Sequence, residues 1–247
     1  MRNDLTRAKH LVASGKDVYV SLAPSWITEF EGVSQEQIIA AIRRLGIRGV
    51  SETALGAEEV STNIADILEH AEKGLFLSTA CPSCVEYVKK YLPDLTPNLT
   101  KVSSPLLAHC RILKEKLGPQ IEIIFIGPCI AKKIEADSHP ELLNLALSFG
   151  DLRQWLKDEG INLKEINTSV FDKFVVEKAE DGTAYPIEGG MIETLKPYDK
   201  IKKSYLMQIT GIENLKRELA SLKTQDFNHP VFVECLACEG GCVAGPC

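Results

Sequence analysis

From Asp4, the chain sets Leu5, Ala8, Leu11 and Val12 at helical spacing, which predicts a helix stopping at Gly15. Asp17-Val18-Tyr19-Val20-Ser21-Leu22 is rich in β-branched and aromatic residues and predicts a strand, which proline ends at Ala23-Pro24-Ser25. Ser34 and Gln37 have capping-box spacing ahead of Ile38, Ile39, Ile42 and Leu45, so a second helix runs to Gly46. Residues 74–80 predict a buried strand; Cys81-Pro82-Ser83-Cys84 follows, then Val85, Val88 and Leu92 at helical spacing. The same order returns at 121–126, Gly127-Pro128-Cys129 and the helix-like 130–135, while Val231-Phe232-Val233 runs into Cys235, Cys238 and Cys242. Strands alternating with helices predict an α/β fold, with parallel or mixed sheets flanked by helices and sites gathered beyond the carboxyl ends of strands.

Composition narrows the function classes. The chain has 247 residues, 45% hydrophobic and 25% charged, which is ordinary globular usage. Its net charge of −6 comes without a block of like charge and argues against a nucleic-acid footprint. No apolar run approaches the ~20 residues of a membrane span, and Met1-Arg2-Asn3-Asp4 lacks a leader's apolar stretch, so the expected location is cytoplasmic. Without repeats, low-complexity tracts or a Pro/Gly/Ser-rich linker, one domain over 1–247 is expected, and the abrupt stop at Gly245-Pro246-Cys247 reads as a truncation. No phosphate-binding loop, dinucleotide fingerprint or His-Glu-x-x-His occurs. The five histidines, His10, His70, His109, His139 and His229, are scattered and read as solvated or structural.

Eight cysteines carry the chemistry: Cys81, Cys84, Cys110, Cys129, Cys235, Cys238, Cys242 and Cys247. Reduced intracellular thiols in this number point to metal or redox chemistry more than to disulfides. Ligation by four cysteines holds an iron–sulfur cluster or a structural zinc, and candidate ligands spread from Cys81 to Cys242 suit a cluster between lobes better than a compact zinc unit. Taken alone, Lys132 and Lys133 read as a solvated helix face, and Pro128-Cys129 as a turn with a buried thiol.

Three segments resemble the signature motifs of the FeFe-hydrogenase catalytic domain. Its Thr-Ser-Cys-Cys-Pro-x-Trp resembles Ser78-Thr79-Ala80-Cys81-Pro82-Ser83-Cys84. Its Met-Pro-Cys-x-x-Lys-Lys-x-Glu resembles Gly127-Pro128-Cys129-Ile130-Ala131-Lys132-Lys133-Ile134-Glu135. Its Glu-x-Met-Ala-Cys-x-x-Gly-Cys-x-x-Gly resembles Glu234-Cys235-Leu236-Ala237-Cys238-Glu239-Gly240-Gly241-Cys242-Val243-Ala244-Gly245. Weaker similarity covers nearly the whole chain. The resemblance implies a two-lobed H-cluster domain, in which a 4Fe-4S cubane joins through a cysteine to a diiron unit carrying CO, cyanide and azadithiolate. By motif position it implies Cys81, Cys129, Cys238 and Cys242 as cubane ligands, with Cys242 bridging. Lys132 and Ser25 would donate to cyanide, and Pro24, Pro105 and Tyr185 would wall the diiron pocket. The implied substrates are H2 and protons, with an electron-transfer partner or missing cluster domain and maturation proteins as partners.

Departures from the family pattern point to low turnover. Ala80 stands where the family has its proton-relay cysteine, and an ungapped reading puts Ile64 and Ile67 at the relay glutamates, leaving the hydroxyl of Thr100. Leu106, Gly127 and Leu236 also replace family residues. These changes resemble the sensory subgroups, which report hydrogen more than they turn it over. Cys84 replaces the family's tryptophan and reads either as another proton-carrying catalytic thiol or as a buried structural cysteine. Cys110 reads as structural or exposed, and Cys235 and Cys247 as ligands of an additional cluster. Three other readings stay open: an iron–sulfur assembly scaffold with a cubane and no diiron unit, a Cys-x-x-Cys thiol–disulfide protein, and a zinc-stabilised binding module.

Overall fold

The computed structural model describes residues 3–247. Met1 and Arg2, part of the expected 1–247 domain and of the segment read for a leader, lie outside the described residues. In chain order the elements are α1 (Asp4–Ala13), β1 (Val18–Leu22), α2 (Trp26–Glu29), α3 (Gln35–Arg44), β2 (Gly49–Glu52), α4 (Ala54–His70), β3 (Gly74–Leu77), α5 (Pro82–Tyr91) and α6 (Pro105–Leu117). There follow β4 (Glu122–Gly127), α7 (Lys132–Ser138), β5 (Leu145–Ser148), α8 (Phe149–Asp158), α9 (Gly190–Leu195), β6 (Tyr205–Thr210), α10 (Ile212–Leu222) and β7 (Pro230–Leu236). The paired strands are parallel throughout, as an α/β fold with helical crossovers requires.

The chain divides into two compact units: one holds the chain up to Leu55, His109–Glu180 and Pro246–Cys247, the other Gly56–Ala108 and Asp181–Gly245. It passes from one unit to the other within α4, within α6, between Glu180 and Asp181 and between Gly245 and Pro246.

The first unit carries a sheet of order β2-β1-β4-β5. Every residue of β1 is buried, as expected of a central parallel strand covered on both faces. Its polar Ser21 is satisfied inside: its Oγ meets Thr53 Oγ1 at 2.7 Å and His109 Nδ1 at 2.8 Å, and His109 Nε2 meets Ser51 Oγ at 3.0 Å. The predicted capping box is formed, with Ser34 and Gln37 bonding each other's backbone N–H groups at the start of α3. A second box, Ser148 with Asp151, starts α8.

The second unit carries a sheet of order β3-β7-β6. Residues alternate between the two faces of β7, as the strand period dictates. Val231, Val233 and Cys235 pack with Cys84 and Val88 of α5 and Leu215 and Leu219 of α10, while Phe232 packs with Ile64 and Leu68 of α4 and Met191 of α9.

Two strand boundaries differ from the sequence expectation. β3 stops at Leu77, because Ser78 makes a last bond to the Val233 carbonyl before the chain turns toward Pro82. β7 runs on to Leu236, held in register by Thr210 of β6, so Cys235 lies inside a strand and not in the loop after it. Glu234 breaks the apolar run there and hides the strand's true length.

Candidate metal-cluster site

In the first unit, β1 sits between β2 and β4, so the strand order reverses between β1 and β4, and the crevice beyond their carboxyl ends is where α/β sheets bind ligands. Leu22 of β1 is level with Ile126 of β4, and the Ala23 N–H donates to the Ile126 carbonyl at 2.9 Å. The sequence then continues on one side as Pro24-Ser25 and on the other as Pro128-Cys129, with Lys132 opening α7. Four of the expected site residues thus share one sheet edge.

Their environments differ. Pro24 and Cys129 are half-buried. Ser25 is 4% exposed, makes no side-chain cap to α2, and its Oγ has no hydrogen-bond partner among the described residues. Lys132 is buried, with its Nζ 2.6 Å from Glu135 Oε2, and Lys133 reaches Asp151 at 2.8 Å and Asp4 at 3.2 Å. Neither lysine forms the solvated helix face that the pair suggests in isolation. Sequence reasoning missed the Lys133 pairs because their carboxylates come from α1 and α8.

The second unit holds Cys81, Cys84, Pro105, Tyr185, Cys238 and Cys242. Cys81 follows β3 and is the N-cap of α5 with Pro82 behind it, a helix start whose dipole favours a thiolate. Cys238 follows β7, and the turn to Cys242 passes through two glycines at positive φ. At Gly241 (φ 86) a Cβ would stand 2.5 Å from the Pro186 carbonyl oxygen and 2.8 Å from the Glu188 nitrogen, so only glycine fits. Among the described residues no three His, Cys, Asp or Glu side chains converge as one metal ion requires, whereas a cubane spreads its thiolates over separate irons.

Cys84 is buried on the apolar face of β7 and hydrogen-bonded to Cys81; that bond, burial, and the charges of Cys81, Cys235 and Cys242 push its thiol far up. Its burial among apolar side chains is what the structural-cysteine reading expects, and its contact with Cys81 is what a thiol pair expects. Cys235 is also pushed up by burial, and its S–H donates to the Val233 carbonyl at 3.7 Å, which makes it a packed core thiol. Cys110 is buried in α6 and pushed up to about 12, chiefly by desolvation. Cys247 is half-buried, and burial pushes its thiol up.

Pro105 opens α6 and is half-buried. The Tyr185 hydroxyl meets Ser61 Oγ at 2.8 Å, and Ser61 Oγ meets Thr194 Oγ1 at 2.6 Å. Burial pushes this phenol up, against hydrogen bonds from Ser61 and Thr194 that lower it. Glu234, to which the sequence assigned no role, is 1% exposed and accepts from the Met191 and Ile192 N–H groups at 3.3 Å each. Burial raises it to about 7, with Glu188 and Glu193 adding to the shift and the two backbone donors opposing it.

Residues 16–246 match the family described as iron only hydrogenase large subunit, C-terminal domain. The chain belongs to this family. Among curated relatives of this iron-only hydrogenase domain, Iron hydrogenase 1 of Clostridium pasteurianum is 23% identical over 99% of the chain and 52% of its own length. Protein NAR1 of Arabidopsis thaliana is 22% identical over 95% of the chain and 65% of its own length, and the cytosolic Fe-S cluster assembly factor nar1 of Aspergillus clavatus is 34% identical over 38% of the chain and 17% of its own length. The chain spans roughly half to two thirds of the first two. A solved structure described as showing stepwise FeFe-hydrogenase H-cluster assembly aligns with a TM-score of 0.78 at 20% identity, covering 99% of this chain and 84% of that one. A variant of the HydA1 FeFe-hydrogenase from Chlamydomonas reinhardtii aligns at 0.76, with the same identity and coverage. The α/β fold with parallel sheets is that of these hydrogenases.

Against the family pattern, the departures have local physical reasons. Gly127 replaces a methionine where a Cβ would meet the Phe125 ring at 2.5 Å and Ala23 Cβ at 2.7 Å, so that ring fills the space. Ile64 is fully buried against Phe232. The Thr100 hydroxyl meets Thr79 Oγ1 at 3.0 Å, and Thr79 donates to the Val102 carbonyl at 2.6 Å, so this pair ends on a backbone acceptor.

The H-cluster that hydrogenases of this family carry finds suitable residues in part. The orphaned Ser25 hydroxyl is a buried donor without a protein acceptor, which an anionic ligand would satisfy. The buried Lys132 ammonium lies on the same sheet edge beside a soft thiol donor at Cys129.

Proposed function

We propose that this chain is one H-cluster-binding domain of two lobes, of the FeFe-hydrogenase type, working as a low-turnover hydrogen sensor in the cytoplasm. The observation that carries the reading is the orphaned Ser25 hydroxyl on the sheet edge it shares with Cys129 and Lys132. A cubane-only scaffold has no need of buried donors there, whereas cyanide ligands do. Cys81, Cys129, Cys238 and Cys242 would hold the cubane, with Cys242 as the bridge, and Ser25 and Lys132 would donate to cyanide. Pro24, Pro105 and Tyr185 would exclude water from the diiron side. When bound, the H-cluster supplies reversible heterolysis of hydrogen together with an electron relay. The chain's own residues supply little proton transfer, because Ala80 and Ile64 do not titrate and Thr79 commits its proton to a carbonyl. Electrons would come from a partner protein or a further cluster domain, and the diiron unit from maturation proteins.

The second reading, a cubane-only assembly scaffold, is favoured by the same missing relay and by the relatives named as Fe-S cluster assembly factors. Anaerobic infrared spectroscopy separates the two. The cubane is reconstituted, a synthetic diiron azadithiolate complex is added, and the excess is removed. Protein-bound CO and cyanide bands that change under hydrogen are expected. Iron and sulfide without such bands would replace the hydrogenase reading with the scaffold.

A further inference from the structure

We propose that Cys81 and Cys84 form a reversible disulfide in the cluster-free protein, closed by a low-molecular-weight disulfide and opened by a dithiol. Cys81 is the N-cap of α5, with extended backbone (φ −99, ψ 109), and Cys84 stands at the third helical position. N-cap and third helical position are three residues apart on one side of the first turn, and the two side chains are in hydrogen-bond contact. Both pack against one apolar cluster, with Cys84 1% exposed and Cys81 half-buried at its rim. A reagent therefore reaches Cys81 first, and Cys84, already in hydrogen-bond contact with it, resolves the product.

With oxidised glutathione the steps balance. The Cys81 sulfur gives up its proton, displaces one glutathione as its thiol and forms a mixed disulfide; Cys84 then attacks the Cys81 sulfur as its proton passes to the departing glutathione, which leaves as the second thiol. Two cysteine thiols lose two electrons and two protons, and one glutathione disulfide becomes two glutathione molecules. On the reading of Cys81 as a cubane ligand, closing the disulfide removes one of four ligands and blocks cluster loading. The substitution of cysteine for the family's tryptophan at position 84 thus couples loading to the thiol redox state.

The test treats the anaerobically purified, cluster-free full chain with oxidised glutathione, quenches it in acid, alkylates it and digests it with trypsin. Lys73 and Lys89 bracket both cysteines in one peptide, which is expected lighter by two hydrogens and unalkylated, with two of the eight thiols lost. Dithiothreitol should restore both. Cys84→Ala should stop at a Cys81–glutathione adduct, and Cys110→Ser should behave as the parent. A persistent glutathione adduct on the parent protein, full alkylation at both positions, or a bridge from Cys84 to Cys235 would each overturn the proposal. Iron and sulfide uptake is then measured on both forms. Uptake by the reduced form and its loss in the oxidised form are expected. Equal uptake by both overturns the gating of loading, and no uptake by the reduced form sinks the cluster reading while leaving the disulfide standing on its mass.

Discussion

Ser25 shows how one atom can separate stability from function. Its buried Oγ has no partner, so Ser25→Ala removes an unsatisfied hydroxyl and should leave the stability of the cluster-free protein unchanged or raise it by up to about 1 kcal/mol. In the loaded protein the same substitution should shift a cyanide band in the infrared spectrum; an unmoved spectrum would remove Ser25 from the site. Ala80 makes the complementary case. Restoring the relay thiol with Ala80→Cys should recover none of the ~10²–10⁴-fold that a positioned proton-transfer group contributes, because Ile64 behind it is fully buried in apolar packing. Hydrogen evolution from the loaded variant measures this. Cys129 and Lys132 were legible as a motif, and Glu135 stands at i,i+3 from Lys132, but the partners of Lys133 were not legible, since its ion pairs to α1 and α8 are set by folding and not by spacing.

Among elements, the turn from Cys238 to Cys242 is tightly constrained. Gly241 combines positive φ with backbone atoms at 2.5 and 2.8 Å from its missing Cβ, and neither atom is the end of a flexible side chain. Gly241→Ala should therefore cost about 2 kcal/mol or more in urea unfolding and lower cluster uptake, whereas Gly118→Ala, with positive φ but open space, should cost less. The α3 capping box and β1 were readable because their signals are local. β7 was read too short because Glu234 looks like a strand end, and only its pairing with β3 and β6 carries it to Leu236. α2, β2, β5, β6, α4, α8, α9 and α10 were absent from the sequence expectations, since several are short or bury residues that carry no motif.

At the scale of the whole molecule, two buried titrations oppose each other. His109, in the first unit, is fully buried and lowered to about 3 by desolvation, so the unfolded chain, at an ordinary value near 6.5, binds its proton first as pH falls. Its contribution to stability is full above pH 6.5 and is lost progressively toward pH 3. Glu234, in the second unit, is raised from 4.5 to about 7, so the folded state holds the extra proton; its contribution is full below pH 4.5 and is lost as pH rises through 7. Between pH 4.5 and 6.5 the two slopes, each about 1.4 kcal/mol per pH unit, have opposite sign. Glu234→Gln should leave stability rising with pH across this window, and His109→Gln should leave it falling. Urea titrations at three pH values check this, and parallel slopes in both variants would contradict it.

The sequence by itself determined the family, the α/β class, the starts of the capped helices and the order of the cysteine motifs. Those are properties of local spacing, or of residues kept in line along the chain. Tertiary structure decided which thiols are core and which stand at strand ends. It paired the lysines, buried His109 between Ser21 and Ser51, and left Ser25 without a partner. It also split one unbroken chain into two discontinuous units. Burial and long-range pairing depend on residues distant in sequence, and no periodicity or motif records which ones will meet.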